Sequence, residues 1–141
     1  MKNKYFIPQV EDLRINYVCE VEMDRLLYKH SGDWRKTIIK INSSDYDIQH
    51  AIGDVATMNI RVPFLTIKQI EKEGWKLEWN DGDDGIETFN FKKESWILDI
   101  SFGFKDVSNH VLIGKSANAI YFRGEIKSIN ELRYICKLLK I

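Results

Sequence analysis

The chain has 141 residues, 44% hydrophobic and 30% charged, with 21 basic against 21 acidic side chains and a formal charge of zero. That composition is ordinary for a globular protein that buries its own core, and the length suits one compact domain spanning 1–141. Neutrality argues against a non-specific nucleic-acid binder, which carries a basic surplus.

Alternation predicts a strand over 17–23, with Tyr17, Cys19, Val21 and Met23 on one face. "SGDWR" (31–35) reads as a turn and "KTIIKIN" (36–42) as a strand. The polar run 42–47 is turn-like, and a short amphipathic helix or loop is expected around "YDIQHAIGD" (46–54). A further strand is expected over 56–64, with Ala56, Met58, Ile60, Val62 and Phe64 on one face; Pro63 ends it or marks an edge.

"FLTIKQIEKEGWKLEW" (64–79) holds a complete helix signal. Thr66 and Gln69 form a capping box, Leu65 and Ile70 a hydrophobic staple, and Gly74 suits a left-handed stop before Trp75. A hairpin follows, "KLEWN" and "IETFNF" flanking the acidic "DGDDG" loop at 81–85. Strands are expected at 95–104, 110–114 and 119–126, a meander joined by turns. Ser128 and Glu131 suggest a second capping box, and Leu132, Ile135, Cys136 and Leu139 form the stripe of a final helix. The expected fold class is α+β: mostly antiparallel sheet, a short central helix, and a C-terminal helix packed on the sheet.

The chain carries few signs of chemistry. Cys19 and Cys136 lie far apart without a CxxC, so a cysteine zinc site has no support and two reduced thiols are expected. His30, His50 and His110 are isolated, and no Walker, GxSxG or GxGxxG motif occurs. Glu78, Asp81, Asp83, Asp84 and Glu87 gather in ten residues, yet the EF-hand register fails: with Gly85 sixth, position 1 is Asn80 and position 12 is Phe91. No catalytic residue, cofactor or metal is assigned. Asp99, opposite Trp96 and Phe102 in its strand, is ordinary if that face is open and needs a partner if it is covered.

Two basic clusters stand out. Residues 25–40 carry Arg25, Lys29, Arg35, Lys36 and Lys40 near Tyr28 and Trp34; residues 115–141 carry Lys115, Arg123, Lys127, Arg133, Lys137 and Lys140. Basic residues among aromatics suit nucleic acid, and solvated charge around a core gives the same pattern.

The segments "EDLRINYV" (11–18), "FLTIKQIEKEGW" (64–75) and "IKSINELRYICKLL" (126–139) together resemble a group of small uncharacterised proteins of Bacteroidetes genomes and their phages and mobile elements. Those begin with a "DLRIGNYV"-like segment, carry an "LT...L..FGF"-like helix turn and end in a "HxLQNLYxxLT"-like helix. Here the glycine between Ile15 and Asn16 is absent, and "INELRY" replaces the last signature. The resemblance implies a phage or mobile-element setting and no mechanism.

The expectation is therefore a non-enzymatic interaction protein of a bacterial cytoplasm that binds a host or phage protein, as an inhibitor of a host defence system or a virion accessory protein. Its contact candidates are Trp34 and the carboxylates Glu78, Asp81, Asp83, Asp84 and Glu87. The alternative is a nucleic-acid-binding accessory protein using Arg35, Lys36, Arg133 and Lys137. A homodimer through an exposed sheet edge is open. No signal peptide or run of about 20 apolar residues calls for a membrane.

Overall fold

A computed structural model describes residues 4–22, 34–40, 46–83, 86–103 and 109–141. They group into two compact units, Met1–Phe64 and Leu65–Ile141. The fold is α+β with antiparallel sheets.

The first unit is a four-stranded antiparallel sheet with a helix. Its strands are β1 (Tyr5–Phe6), β2 (Val18–Glu22), β3 (Trp34–Ile38) and β4 (Ile60–Pro63), in the order β1-β4-β2-β3. Helix α1 spans Ile48–Ala56, and its N-cap Asp47 accepts a hydrogen bond from the His50 N–H. Cys19, Val21, Ile60 and Val62 alternate inward from β2 and β4 onto Tyr17, Ile39, Tyr46 and Ala51. Before β2 the chain turns at Asn16, φ 68°, a conformation asparagine tolerates better than most residues. The turn is tied down by Asn16 N–H to Ile39 O and Ile39 N–H to Tyr17 O.

Two expectations are corrected here. Trp34 and Arg35 belong to strand β3, not to a turn, since Arg35 pairs with Val21 and Trp34 with Glu22. The strand expected over 56–64 is only Ile60–Pro63. Ala56 closes α1, and Met58, φ 55° and 66% exposed, turns the chain outward. The apparent period-2 pattern there joins a helix end to a strand.

The second unit follows the sequence closely. Helix α2 (Ile67–Lys72) starts at Thr66, whose Oγ1 accepts from the Gln69 N–H at 3.3 Å while Gln69 Oε1 accepts from the Thr66 N–H at 2.9 Å. Leu65 and Ile70 are both buried, and Gly74, φ 87°, ends the helix before buried Trp75. Then come β5 (Lys76–Asp83), β6 (Ile86–Lys93), β7 (Trp96–Gly103), β8 (Asn109–Ser116) and β9 (Ala119–Glu125), a five-stranded antiparallel meander in chain order. One face carries the cross-strand row Leu77, Phe91, Leu98, Ile113 and Phe122. Helix α3 (Ile129–Leu139) supplies Ile129 and Leu132, and α2 supplies Ile70, to the same core. Ile135, Cys136 and Leu139 pack against it, so the predicted stripe lies on the sheet.

The acidic hairpin loop is shorter than expected. Asp81, Gly82 and Asp83 continue β5, and Asp84 falls outside the described residues. The second capping box also differs. Ser128 makes no side-chain cap, its hydroxyl is buried without a partner, and Glu131 instead accepts from the backbone N–H of Lys127, one residue further back.

Candidate functional site

The acidic segment occupies a sheet edge. Strand β5 has β6 on one side and, among the described residues, no strand on the other. A bulge at Glu78 separates the pairs Leu77–Phe91 and Trp79–Asn90. Beyond it, Trp79 joins the row Trp79, Asn90, Asp99, Leu112 and Arg123 on the face away from the core. Trp79 is 50% exposed and Ile86 51%.

Among the described side chains, the carboxylates divide between the two faces of the sheet. Asp81 pairs with Thr88 on Trp79's face, whereas Glu87 pairs with Gly82 and Phe102 on the other. Among the described residues no group of three His, Cys, Asp or Glu side chains that could hold a metal ion is found. Asp83 belongs to β5 by its backbone. What remains is an edge on which every charged residue from 77 to 91 is acidic and the large apolar side chains Leu77, Trp79 and Ile86 are exposed. Asp99 is half-buried and held by the Asn90 amide across the strand pair. Its polar partner explains its place in the best strand.

Trp34 is engaged within the first unit. The Arg61 guanidinium lies 4.1 Å from the Trp34 ring centroid and 3.8 Å from that of Tyr5, so it is bracketed by two aromatics. Arg61 also pairs with Glu20, Nη2 to Oε2 at 2.7 Å. Glu20 sits opposite both Arg61 and Lys36 in the sheet register. Trp34 is therefore half-buried in a stack across three strands.

The basic candidates belong to different units. Arg35 and Lys36 are exposed on β3, in the first unit, and Arg25, Tyr28 and Lys29 of the same cluster lie outside the described residues. Arg133 and Lys137 are exposed on α3, in the second. Arg133 is bound to the Glu73 carboxylate through Nε at 3.0 Å and Nη2 at 2.6 Å. Lys137 has no ion-pair partner among the described residues.

Arg133 and Lys137 border a cleft of about 270 Å³ in the second unit. Trp75, Leu132 and Ile141 give it apolar walls, and Lys93, Cys136 and Glu73 complete it. Lys93 Nζ donates to the Glu73 carbonyl at 3.0 Å and lies 6.0 Å from the Trp75 ring centroid. Burial pushes the Cys136 thiol up; Lys93 pulls it down, Glu73 opposes that, and the Trp75 indole N–H favours the thiolate. That N–H reaches toward the sulfur without full hydrogen-bond geometry, leaving Trp75 Nε1 without a conventional partner. Nothing in the sequence spacing marked this cleft, because Glu73, Lys93 and Cys136 come from three separate elements.

A second buried polar group lies in the first unit. The Tyr46 hydroxyl donates to Asp54 Oδ2 at 2.7 Å, and burial together with that bond raises the tyrosine pKa. Cys19 is pushed up to about 12, first by burial and then by Asp54 and Glu20. It behaves as a small core hydrophobe. Both cysteines are free thiols.

No family model, curated protein or solved structure matches the chain. No helix among the described residues is long and apolar enough to cross a membrane.

Proposed function

We propose that this is a non-enzymatic protein-interaction protein whose contact surface is the β5–β6 edge, and that its partner presents a basic, extended segment to that edge. The observation that carries the reading is Trp79: half exposed, on an edge strand, within the stretch 77–91 whose only charges are carboxylates. An edge strand offers unpaired backbone groups to an added strand, and a large aromatic supplies an anchor. Glu78, Asp81 and Glu87 would select a basic segment and speed its approach. The same charges disfavour a homodimer made by pairing β5 with another β5, since like carboxylates would face each other. In the phage or mobile-element setting that the resemblance implies, the partner is a host or phage protein in the bacterial cytoplasm. Inhibition of a host defence system and a virion accessory role are the two versions of the proposal.

A second reading is a nucleic-acid-binding accessory protein. Two adjacent cations exposed on β3, Arg35 and Lys36, favour it. The Glu73 pairing of Arg133 counts against a contribution from that residue.

Affinity capture from lysate of the bacterium that carries the gene, with and without nuclease, separates the two. The interaction reading expects a stoichiometric basic protein that survives nuclease and is lost with Trp79→Ser. Loss of all bound material on nuclease treatment, or with Arg35→Glu/Lys36→Glu and not with Trp79→Ser, overturns it.

A further inference from the structure

Strand β9 is the other edge of the meander, with β8 on one side and, among the described residues, no strand on the other. Its register with β8 fixes which backbone groups are free. The Ile126 N–H donates to Asn109 O, and the pairs His110–Glu125, Val111–Gly124, Leu112–Arg123 and Ile113–Phe122 continue from there. Backbone groups alternate along an antiparallel ladder, so those of Gly124 and Phe122 face β8 and those of Arg123 and Glu125 face outward. The Arg123 and Glu125 side chains stand on the face away from the core, opposite Leu112 and His110, and both residues are exposed. Neither has an ion-pair partner among the described residues. The free ladder is short. At one end the register with β8 skips Tyr121, a bulge; at the other, the Lys127 N–H already donates to Glu131 and its carbonyl already accepts from Leu65. Between these ends a cation and an anion alternate along the edge.

We infer that β9 pairs with β9 of a second copy of this chain, antiparallel about a two-fold axis through Gly124, joining the two meanders into one continuous sheet. Only outward-facing residues exchange ladder bonds, so few registers are open. Centred on Arg123, the strands set Arg123 against itself. Centred on Glu125, they set Glu125 against itself and Arg123 against Lys127. Centred on Phe122, they need Tyr121, which the bulge removes from the ladder. Centred on Gly124, each Arg123 faces Glu125 of the other copy, and the match occurs twice. Opposite charges across a strand pair are favourable and like charges unfavourable, so charge selects this last register. Each Arg123–Glu125 pair also exchanges two backbone hydrogen bonds. The Phe122 ring leans over Gly124, 3.1 Å from where a Cβ would stand, so a ring from each copy comes near the axis on the core face. Contact this short falls below the roughly 1,200 Å² of a stable interface, and the dimer is therefore weak. Both β5 edges stay free at the far ends of the joined sheet, so the dimer offers that edge twice to one partner.

The test is sedimentation equilibrium of the full chain up to about 1 mM at low salt, with circular dichroism to show that each variant is folded. The inference expects a monomer–dimer equilibrium with Kd on the order of 100 µM. Arg123→Glu and Glu125→Arg should each weaken it at least about tenfold, because like charges then meet at both pairs. The double variant Arg123→Glu/Glu125→Arg should return to within about threefold of wild type, since both pairs are restored with reversed polarity. Raising salt to about 0.5 M should weaken the wild-type dimer without any substitution. A wild-type chain that is monomeric at about 1 mM overturns the inference. So does a dimer that salt and both single variants leave unchanged, and a double variant that associates no better than the single ones. Capture of a partner by the β5–β6 edge is read separately, through Trp79→Ser, and stands or falls independently of these outcomes.

Discussion

The two units solve the same problem, covering one face of an antiparallel sheet, by different routes. In Leu65–Ile141 each strand pairs with its neighbour in sequence, and the helices before and after the meander supply the apolar cover. In Met1–Phe64 the order β1-β4-β2-β3 brings Tyr5 beside Pro63 and Glu20 beside Arg61, so the sheet closes through distant pairs. The first unit holds a hydrogen-bonded ionisable pair beside its core, Tyr46 with Asp54 and the Cys19 thiol nearby, while the second unit's aliphatic and aromatic core has the Cys136 thiol packed against it and the neutral polar residues Asn109, Ser128 and Asn130 buried in the same unit. Local pairing lets hydrophobic pattern alone specify an arrangement, whereas distant pairing leans on particular side-chain contacts.

That contrast can be tested by substitution, beginning with the apolar meander. Phe91 is fully buried in the central row of the second unit. Phe91→Ala should cost about 3–5 kcal/mol in urea unfolding, enough to unfold a marginal domain. A loss below about 1 kcal/mol would mean that Phe91 is not packed as described.

In the first unit the expected weak point is a polar one. Arg61→Ala removes the Glu20 pair and both aromatic contacts of a partly buried guanidinium, and should cost about 2 kcal/mol. Arg61→Lys should recover less than half of that, because an ammonium lacks the plane that stacks between Tyr5 and Trp34. Full recovery by lysine in the same unfolding assay would reduce the stack to simple charge pairing.

The helix caps give smaller effects and extend the comparison. Thr66→Ala should cost about 1 kcal/mol by removing the observed box at α2. Ser128→Ala should cost less, since Ser128 caps nothing and its hydroxyl is unpartnered. At α1 the cap titrates. Hydrogen bonds from the His50 N–H and ring hold the Asp47 carboxyl below its ordinary 3.8. Its contribution is therefore complete above that value and is lost as pH falls through the lower folded pKa. Asp47→Ser keeps a cap without the titration, so its acid unfolding profile should be shallower than wild type below about pH 4.

How much could be seen in advance follows the same division. The meander, the Thr66 box, the Leu65–Ile70 staple, the Gly74 stop and the α3 stripe were all legible, because each is written in residues within one or two turns of one another. The two-residue strand β1 was not, since Tyr5–Phe6 becomes a strand only by meeting Val62 and Pro63. The 56–64 segment misled because Ala56 and Met58 imitate alternation while belonging to a helix end and a left-handed turn. The acidic cluster was visible as composition, but its division between two sheet faces depends on the bulge at Glu78 and the register with β6. The cleft beside Trp75 was invisible, since its cations come from β6 and α3.

The central claim is that the β5–β6 edge, and not the basic strand β3, meets the partner. It is tested most directly by placing a photo-crosslinking amino acid at Asn80, the exposed neighbour of Trp79 on β5, or at Lys36 in separate full-length variants and irradiating cells of the native host. The account predicts a discrete protein adduct from position 80 and none of comparable yield from position 36. Adducts to nucleic acid from position 36, with none from position 80, would contradict it.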